Sequence, residues 1–235
     1  MGIITHIHNI DTIIFSYINK SYIVKAMSQS ATFIWERYNQ HIVIQPKRQY
    51  LFYYRGCFCP PHGGHFDGAA RYLKYPNVKM IIHQMGGQRH GVPTSVNRQI
   101  WNWYIDELLP DDRVDLVQYN DDNHDLPNNH RWIRKSDVVV IIRGDEVDDT
   151  KAHEQLDYRR WGSTIRRCDK YDINVVFIYD LRNRDKLSAS AFIKDLIRYN
   201  QSRIRIEDLY QYLPKRLSTN TKRKIIHLLI QYRIR

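Results

Sequence analysis

The chain has 235 residues and a mass of 28.3 kDa, a length that suits one domain of ordinary size with short extensions. Hydrophobic residues make up 43% and aromatic residues 12%, which excludes collagen-like and wholly disordered chains. Three cysteines are too few for a disulfide scaffold, and no apolar run reaches the ~18 residues that crossing a bilayer requires. We therefore expect a soluble, cytoplasmic protein without a membrane partner.

The formal net charge of +11 is concentrated near the carboxyl end. Residues 1–181 contain 22 Lys and Arg against 21 Asp and Glu, whereas residues 182–235 contain 14 against 4. A local excess of this kind attracts polyanions such as nucleoside triphosphates, nucleic acid or an anionic membrane surface. The alternative interpretation is a solvated helical face that only aids solubility.

Residues 1–48 are predicted to form an N-terminal extension, with a helical stretch over 28–38 and a short strand over 41–45. From residue 49 onward, apolar segments rich in Val, Ile and Tyr alternate with helical segments. The predicted strands are 49–54, 78–83, 114–117, 138–142 and 175–179. The predicted helices are 66–75, 95–109, 150–168 and 190–200. Continuous apolar strands are typical of a parallel sheet that is covered on both faces.

This alternation predicts an α/β fold: a Rossmann-like, doubly wound, five-stranded parallel sheet with helices on both faces. The core is predicted over residues 49–200, followed by a basic helical segment over 201–235 with a terminal helix at 218–233. In such sheets ligands bind beyond the carboxyl ends of the strands. The loops that follow the strands are therefore where functional residues are expected.

One such loop, GCFCPPHGGH at residues 56–65, follows the first core strand and opens the first core helix. Gly56 permits a sharp turn, and Gly64 permits close approach of a ligand to the backbone. His62 and His65 are three residues apart, so in the first turn of a helix they project to the same side. Free N–H groups and the helix dipole favour anions at that position. The loop therefore predicts a phosphate site with two imidazoles.

The loop resembles the G-x-F-x-P-x-H-x-G-H signature of the HxGH-motif nucleotidyltransferase superfamily. That superfamily contains cytidylyltransferases and adenylyltransferases, including the nicotinamide mononucleotide enzymes. Two further positions agree with the resemblance. Arg98 lies on the helix after the second strand, where the family has an arginine, and Gly144 with Asp145 follows the fourth strand.

The segment LSASAFIK at 187–194 resembles the second signature of the family, I-S-S-T-x-x-R, at the start of a helix. Ser188 and Ser190 match the positions that bind phosphate in the family. The final arginine position holds Ile193 instead, and Lys194 follows one place later. The resemblance implies that Lys194 or Lys186 replaces the missing arginine as the basic contact to the triphosphate.

The resemblance implies transfer of a nucleoside monophosphate, AMP from ATP before other nucleotides, to a phosphorylated acceptor with release of pyrophosphate. Nicotinamide mononucleotide is the first candidate acceptor; phosphopantetheine and polyol phosphates remain open, as does CTP in place of ATP. Mg²⁺ is the implied cofactor, held largely by the phosphates and water. The implied catalytic residues are His62, His65 and Lys194. The implied nucleotide-binding residues are Gly56, Cys57, Phe58, Gly64, Gly144, Asp145, Ser188 and Ser190, and the acceptor-binding residues are Arg98, Trp101 and Trp103.

Trp101 and Trp103 are two positions apart on one helix, so the two rings face different directions. One of them is expected in the core, and the other is a candidate to stack on a planar ring of the acceptor. Whether the chain forms a homo-oligomer is left open by the sequence.

Three other interpretations remain open. Cys57, Cys59, His62 and His65 are all zinc-ligand types, although their spacing is cramped and no second pair follows. KLSAS at 186–190 is also similar to the lysine-containing loop of class I aminoacyl-tRNA synthetases, which likewise transfer an adenylyl group. A non-catalytic nucleotide or nucleic-acid binder on the same fold is the third, supported by the basic C-terminal segment.

Overall fold

A computed structural model describes residues 22–25, 32–35, 42–86, 89–119, 131–144, 161–180 and 187–233. Its sheet has seven strands in the order β1-β2-β7-β6-β3-β4-β5. The strands are β1 (Tyr22–Lys25), β2 (Thr32–Trp35), β3 (Tyr50–Gly56), β4 (Val78–Met85), β5 (Val114–Tyr119), β6 (Val138–Gly144) and β7 (Asn174–Asp180). The α-helices are α1 (Gly63–Leu73), α2 (Thr94–Leu108), α3 (161–170), α4 (Ala189–Asn200) and α5 (Thr219–Arg233).

The five predicted core strands are all present and all parallel, in the spatial order β7-β6-β3-β4-β5. The predicted α/β fold with a Rossmann-like sheet is therefore confirmed. The order reverses direction between β3 and β6, the first and fourth core strands. This reversal leaves a crevice at the carboxyl ends of β3 and β6, which is where ligands bind in open α/β sheets.

Two predictions for the N-terminal residues are wrong. Residues 32–35, predicted as part of a helix, form β2, and residues 42–45 lie outside any strand. β2 pairs in parallel with β7, and β1 pairs antiparallel with β2. The sequence TFIW of β2 is β-branched and aromatic, which favours a strand. The N-terminal residues therefore extend the sheet and cover an edge that β7 would otherwise leave open.

Side chains alternate between the two faces of the sheet, and helices cover both. Phe52 and Tyr54 face the larger core, which includes residues of α1, α2, α4 and α5. Leu51 and Tyr53 face a smaller core that includes Trp161 and other residues of α3. Burial on both faces explains why these strands have no exposed polar positions at their centres.

The C-terminal segment packs into the same core as the sheet. A 3₁₀ helix at Ile206–Tyr212 precedes α5, and Leu209, Ile225 and Ile226 are buried within the larger core. Phe192 of α4 stacks on Tyr212 with ring centroids 4.9 Å apart. The basic segment is thus attached along its length by an apolar face. No helix in the described part of the chain is long and apolar enough to span a membrane.

Candidate functional site

The loop after β3 is shaped around the side chain of Phe58. Phe58 has a φ of 38°, in the left-handed region, and its ring folds back over Gly56. A Cβ atom on Gly56 would lie 2.8 Å from Cε1 of Phe58, so only glycine fits there. The buried Phe58 ring contacts Trp101 and His65 edge-on, at centroid distances of 5.3 and 5.1 Å. Phe58 therefore links the loop to α2 and to the first turn of α1.

Side chains from neighbouring elements hold the backbone of this loop. Nε2 of Gln84, at the end of β4, donates to the carbonyl oxygen of Cys57. The Tyr104 hydroxyl donates to the carbonyl oxygen of Pro61 at 3.2 Å, and burial raises the pKa of Tyr104 so that it remains a donor. The Cys59 thiol donates to a backbone carbonyl at 3.4 Å. The loop is therefore held by hydrogen bonds as well as by packing.

His62 and His65 lie together at the start of α1. His62 is the N-cap residue, and its Nδ1 accepts a hydrogen bond from the backbone N–H of Gly64 at 3.1 Å. The backbone N–H of His62 in turn donates to Nδ1 of His65 at 3.3 Å. The two ring centroids are 3.8 Å apart. This reciprocal arrangement is a capping box built from imidazoles.

The capping bonds determine which nitrogen of each ring carries the proton. A nitrogen that accepts from a backbone N–H is unprotonated, so each neutral ring carries its proton on Nε2. Both imidazoles are therefore donors at Nε2, at a helix end that favours anions. His62 is 3% and His65 6% exposed, so a ligand reaches only a small part of each ring in this structure.

The second signature lies beside the first. Ser188 is the N-cap of α4, and its hydroxyl accepts from the backbone N–H of Ala191 at 3.0 Å. A Cβ on Gly64 would lie 3.8 Å from Cβ of Leu187, the residue before this cap. The starts of α1 and α4 are consequently adjacent, and each brings N–H groups without helical partners to the same place.

Ser190 and Lys194 share the exposed side of α4, because they are four residues apart. The Ser190 hydroxyl lies 3.4 Å from Nε2 of His90, in a turn where His90 has a φ of 60°. Ile193, at the position of the family's arginine, is 3% exposed and belongs to the core. Lys194 is thus the exposed cation nearest that motif position in sequence.

The two tryptophans of α2 separate as helical geometry requires. Trp101 is fully buried and supports Phe58, so in this structure it does not face an acceptor. Trp103 is half-buried and faces α5 instead. Arg98 is exposed on α2. The structure does not bring the three acceptor candidates together.

Gly144 ends β6 opposite Asp180 of β7, at the carboxyl edge of the sheet where β3 also ends. Asp145 and Lys186 lie outside the described residues. Gly144 therefore occupies the predicted edge of the sheet, and the acid after it has no described position.

Cys57, Cys59, His62 and His65 do not form a metal centre in the structure. Within the described ranges, which include all four, no three His, Cys, Asp or Glu residues are placed to hold a metal ion. The Cys59 thiol is directed to a carbonyl, and the two Nδ1 atoms accept backbone N–H groups. This donor set suits Mg²⁺ only if the ion is held mainly by phosphate oxygens and water.

Sequence analysis missed two residues near this loop. Gln84 is fully buried, and its Oε1 has no hydrogen-bond partner within the described part of the chain. His90 is brought to Ser190 by a turn that the strand pattern does not predict. For Gln84 a signal was present, because a polar residue at the carboxyl end of a buried strand faces the ligand edge of the sheet.

Comparison of the chain with protein-family models and with curated proteins finds no match. The fold and the site therefore define a class only: an α/β protein with a Rossmann-like parallel sheet. Two adjacent helix starts and two imidazoles lie at the end of its first core strand.

Proposed function

We propose that the chain is a nucleotidyltransferase that moves a nucleoside monophosphate, AMP from ATP in the first instance, onto a phosphorylated small molecule. One observation carries this proposal: two imidazoles with Nε2–H donors stand at the start of α1, next to the start of α4. This arrangement suits a ligand with several adjacent phosphates, since both helix starts and both rings offer hydrogen-bond donors.

In the proposed reaction a phosphate oxygen of the acceptor attacks the α-phosphorus of the triphosphate. A new P–O bond forms to the acceptor, the bond to the β-phosphate oxygen breaks, and pyrophosphate leaves. Negative charge increases on the α-phosphoryl oxygens and on the leaving oxygen, where the Nε2–H groups of His62 and His65 would donate. Positioning and charge stabilisation suffice for such a transfer, so no covalent intermediate on the protein is required.

The remaining roles follow the matched positions. Ser190 and Lys194, on the exposed side of α4, are assigned to the β- and γ-phosphates. Mg²⁺, when bound, would be held mainly by the phosphates and water and would neutralise part of their charge. Ser188 is assigned to the cap of α4, which presents the backbone N–H groups. Arg98 is exposed and stays the candidate for an anionic group of the acceptor, whereas Trp101 is assigned to support of Phe58.

Pyrophosphate release tests the function directly. ATP, CTP, GTP and UTP are each incubated with Mg²⁺ and with nicotinamide mononucleotide, phosphopantetheine or glycerol phosphate. We expect one pair to release pyrophosphate in a Mg²⁺-dependent manner, with ATP and nicotinamide mononucleotide tested first. Triphosphate binding without release for any pair would favour the non-catalytic binder. A parallel incubation with amino acids in place of the phosphorylated acceptors is included, and release only there would favour the synthetase-like alternative.

The assignment of the β- and γ-phosphates predicts a difference between nucleotides. Ser190→Ala and Lys194→Ala should each weaken binding of ATP about 10-fold, the loss of one charge-assisted hydrogen bond, while AMP binding changes less than about 2-fold. Titration calorimetry with ATP and AMP measures both affinities. Equal losses for the two nucleotides would contradict the assignment.

Two control variants, Ser188→Ala and Lys135→Ala, separate binding from folding. Ser188→Ala removes the cap of α4 and should lower the free energy of unfolding by ~1 kcal/mol. Ser190→Ala leaves that cap in place and should not. Lys135→Ala removes an exposed lysine just before β6, at the opposite edge of the sheet, and should leave ATP binding unchanged.

A further inference from the structure

A second candidate site lies between α2 and α5. It is a cleft of about 400 Å³ with Trp103 of α2 on one side. Its other lining residues all belong to α5: Asn220, Arg223, Lys224, His227, Leu228 and Gln231. None of these residues belongs to the two signatures, so the nucleotidyltransferase proposal leaves the cleft without a role.

The α5 residues of the cleft form one stripe along the helix. Their spacings of three, four, seven, eight and eleven from Asn220 are those of a single helical face. Ile225 and Ile226 lie on the other face and are completely buried. Between Asn220 and Gln231 the stripe runs about 16 Å along the helix. The helix therefore presents a mainly polar, basic stripe opposite a tryptophan, with the half-buried Leu228 as its apolar member.

The charge around this cleft is mainly positive. After Asp208 the chain contains seven Lys or Arg residues and no Asp or Glu. Glu207 lies 4.0 Å from Arg223 and offsets part of the charge of that residue. Glu107 of α2 accepts hydrogen bonds from the backbone N–H and the hydroxyl of Ser218. That carboxylate therefore serves the start of α5 and does not oppose the basic stripe.

We propose that this cleft binds single-stranded nucleic acid. An unpaired base would stack on Trp103, and the neighbouring phosphates would contact Arg223 and Lys224. Asn220, His227 and Gln231 add hydrogen-bonding groups on the same stripe. A duplex keeps its bases stacked on one another and offers no free face to Trp103. A membrane surface is disfavoured because the exposed residues of the stripe are polar or charged, and its apolar member, Leu228, is half-buried.

Fluorescence anisotropy with labelled 12-nucleotide RNA and DNA, measured over a range of salt concentrations, tests the proposal on the full chain. Arg223→Gln with Lys224→Gln should weaken binding at least ~10-fold and reduce the salt slope by about 1–2. Trp103→Leu should weaken binding about 10-fold with an unchanged salt slope, because stacking involves no charge. The matched control is Lys215→Gln with Arg216→Gln, which removes the same charge from exposed positions before α5.

Arg223 also bonds the Tyr210 hydroxyl at 3.1 Å, so its variant is checked by thermal unfolding. Lys224→Gln with His227→Gln, both exposed, is the second variant and should also weaken binding at least about 5-fold. Equal losses in the Lys215 and Arg216 control would overturn the proposal in favour of diffuse attraction. So would a 12-base-pair duplex that binds as tightly as the single strand, or anionic vesicles that bind while oligonucleotides do not. No triphosphate is present, so these outcomes leave the proposed transferase function untouched.

Discussion

Alanine in place of His62 or His65 is expected to lower the turnover of pyrophosphate release at least ~100-fold, the size of effect seen when one transition-state donor is lost. Each ring would supply an Nε2–H to oxygens that gain charge only during reaction. The affinity for triphosphate should therefore change less than the turnover does. Steady-state kinetics on the active substrate pair, with separate titrations of ATP, measures the two quantities.

The capping role of His62 requires a control, because His62→Ala also removes the bond from Gly64 and should cost ~1 kcal/mol of stability. Asparagine is a strong N-cap residue, so His62→Asn should keep the cap and the unfolding temperature. It has no donor at the position of Nε2, and its turnover should be as low as that of His62→Ala. Turnover near wild type in His62→Asn would show that the ring serves the fold and not the chemistry.

Stability should fall steeply between pH 6.5 and pH 4 because of His83. This residue of β4 is fully buried, and its Nδ1 is hydrogen-bonded to the Tyr53 hydroxyl. Burial, and after it the Arg55 guanidinium, lowers the pKa of His83 from 6.5 to about 4.

The direction of this pH dependence follows from the linkage between proton binding and folding. Between these two pKa values the unfolded chain binds a proton at His83 and the folded chain does not, so a falling pH favours unfolding. The stability that depends on an uncharged His83 is fully present above pH 6.5 and is lost as the pH falls to about 4. The free energy of unfolding falls by about 3 kcal/mol in all, as expected for a pKa difference of ~2.5. About 2 kcal/mol of this is lost by pH 5.

Urea unfolding of wild type and His83→Gln at pH 7, 6, 5 and 4 measures this loss. Glutamine keeps an acceptor for the Tyr53 hydroxyl and does not titrate, so the variant should lose about 3 kcal/mol less over that range. His227→Gln, at an exposed position of α5, is the matched control and should follow wild type. Identical pH dependence in wild type and His83→Gln would contradict the prediction. Below pH 5, Glu107 adds to the loss in both proteins: although burial alone would raise its pKa, the bonds from Ser218 and Thr221 lower it overall.

The central strands illustrate what a local pattern can predict. VVVII and VVFI are apolar on both faces, and this pattern requires burial on both sides, so a parallel sheet with covering helices follows directly. The prediction of a helix over the segment TFIW of β2 is wrong because four residues are too few to separate a strand from a helix by periodicity. Its pairing with β7, more than a hundred residues away in sequence, makes it a strand.

Some features of the candidate site can likewise be predicted from local sequence, whereas others depend on tertiary contacts. His62 and His65 could be placed together from sequence, because a spacing of three in one helix turn is a local relation. Their Nε2–H tautomers depend on backbone bonds of the cap, and the proximity of Leu187 to Gly64 joins segments 123 residues apart. The same limit applies to Trp101 and Trp103: the sequence indicates that they diverge, but not which one enters the core.

By itself, then, the sequence determined the five parallel core strands, the helices that cover them, the imidazole pair and the basic character of the C-terminal segment, since each depends on residues close together in the chain. Only the tertiary structure decided that Trp101 is buried beneath the loop while Trp103 faces α5. It also decided that Arg223 and Lys224 of α5 lie beside that ring. The physical reason is that burial and cleft formation depend on which distant surfaces pack together, and contacts of that kind leave no periodic pattern in the segments that make them.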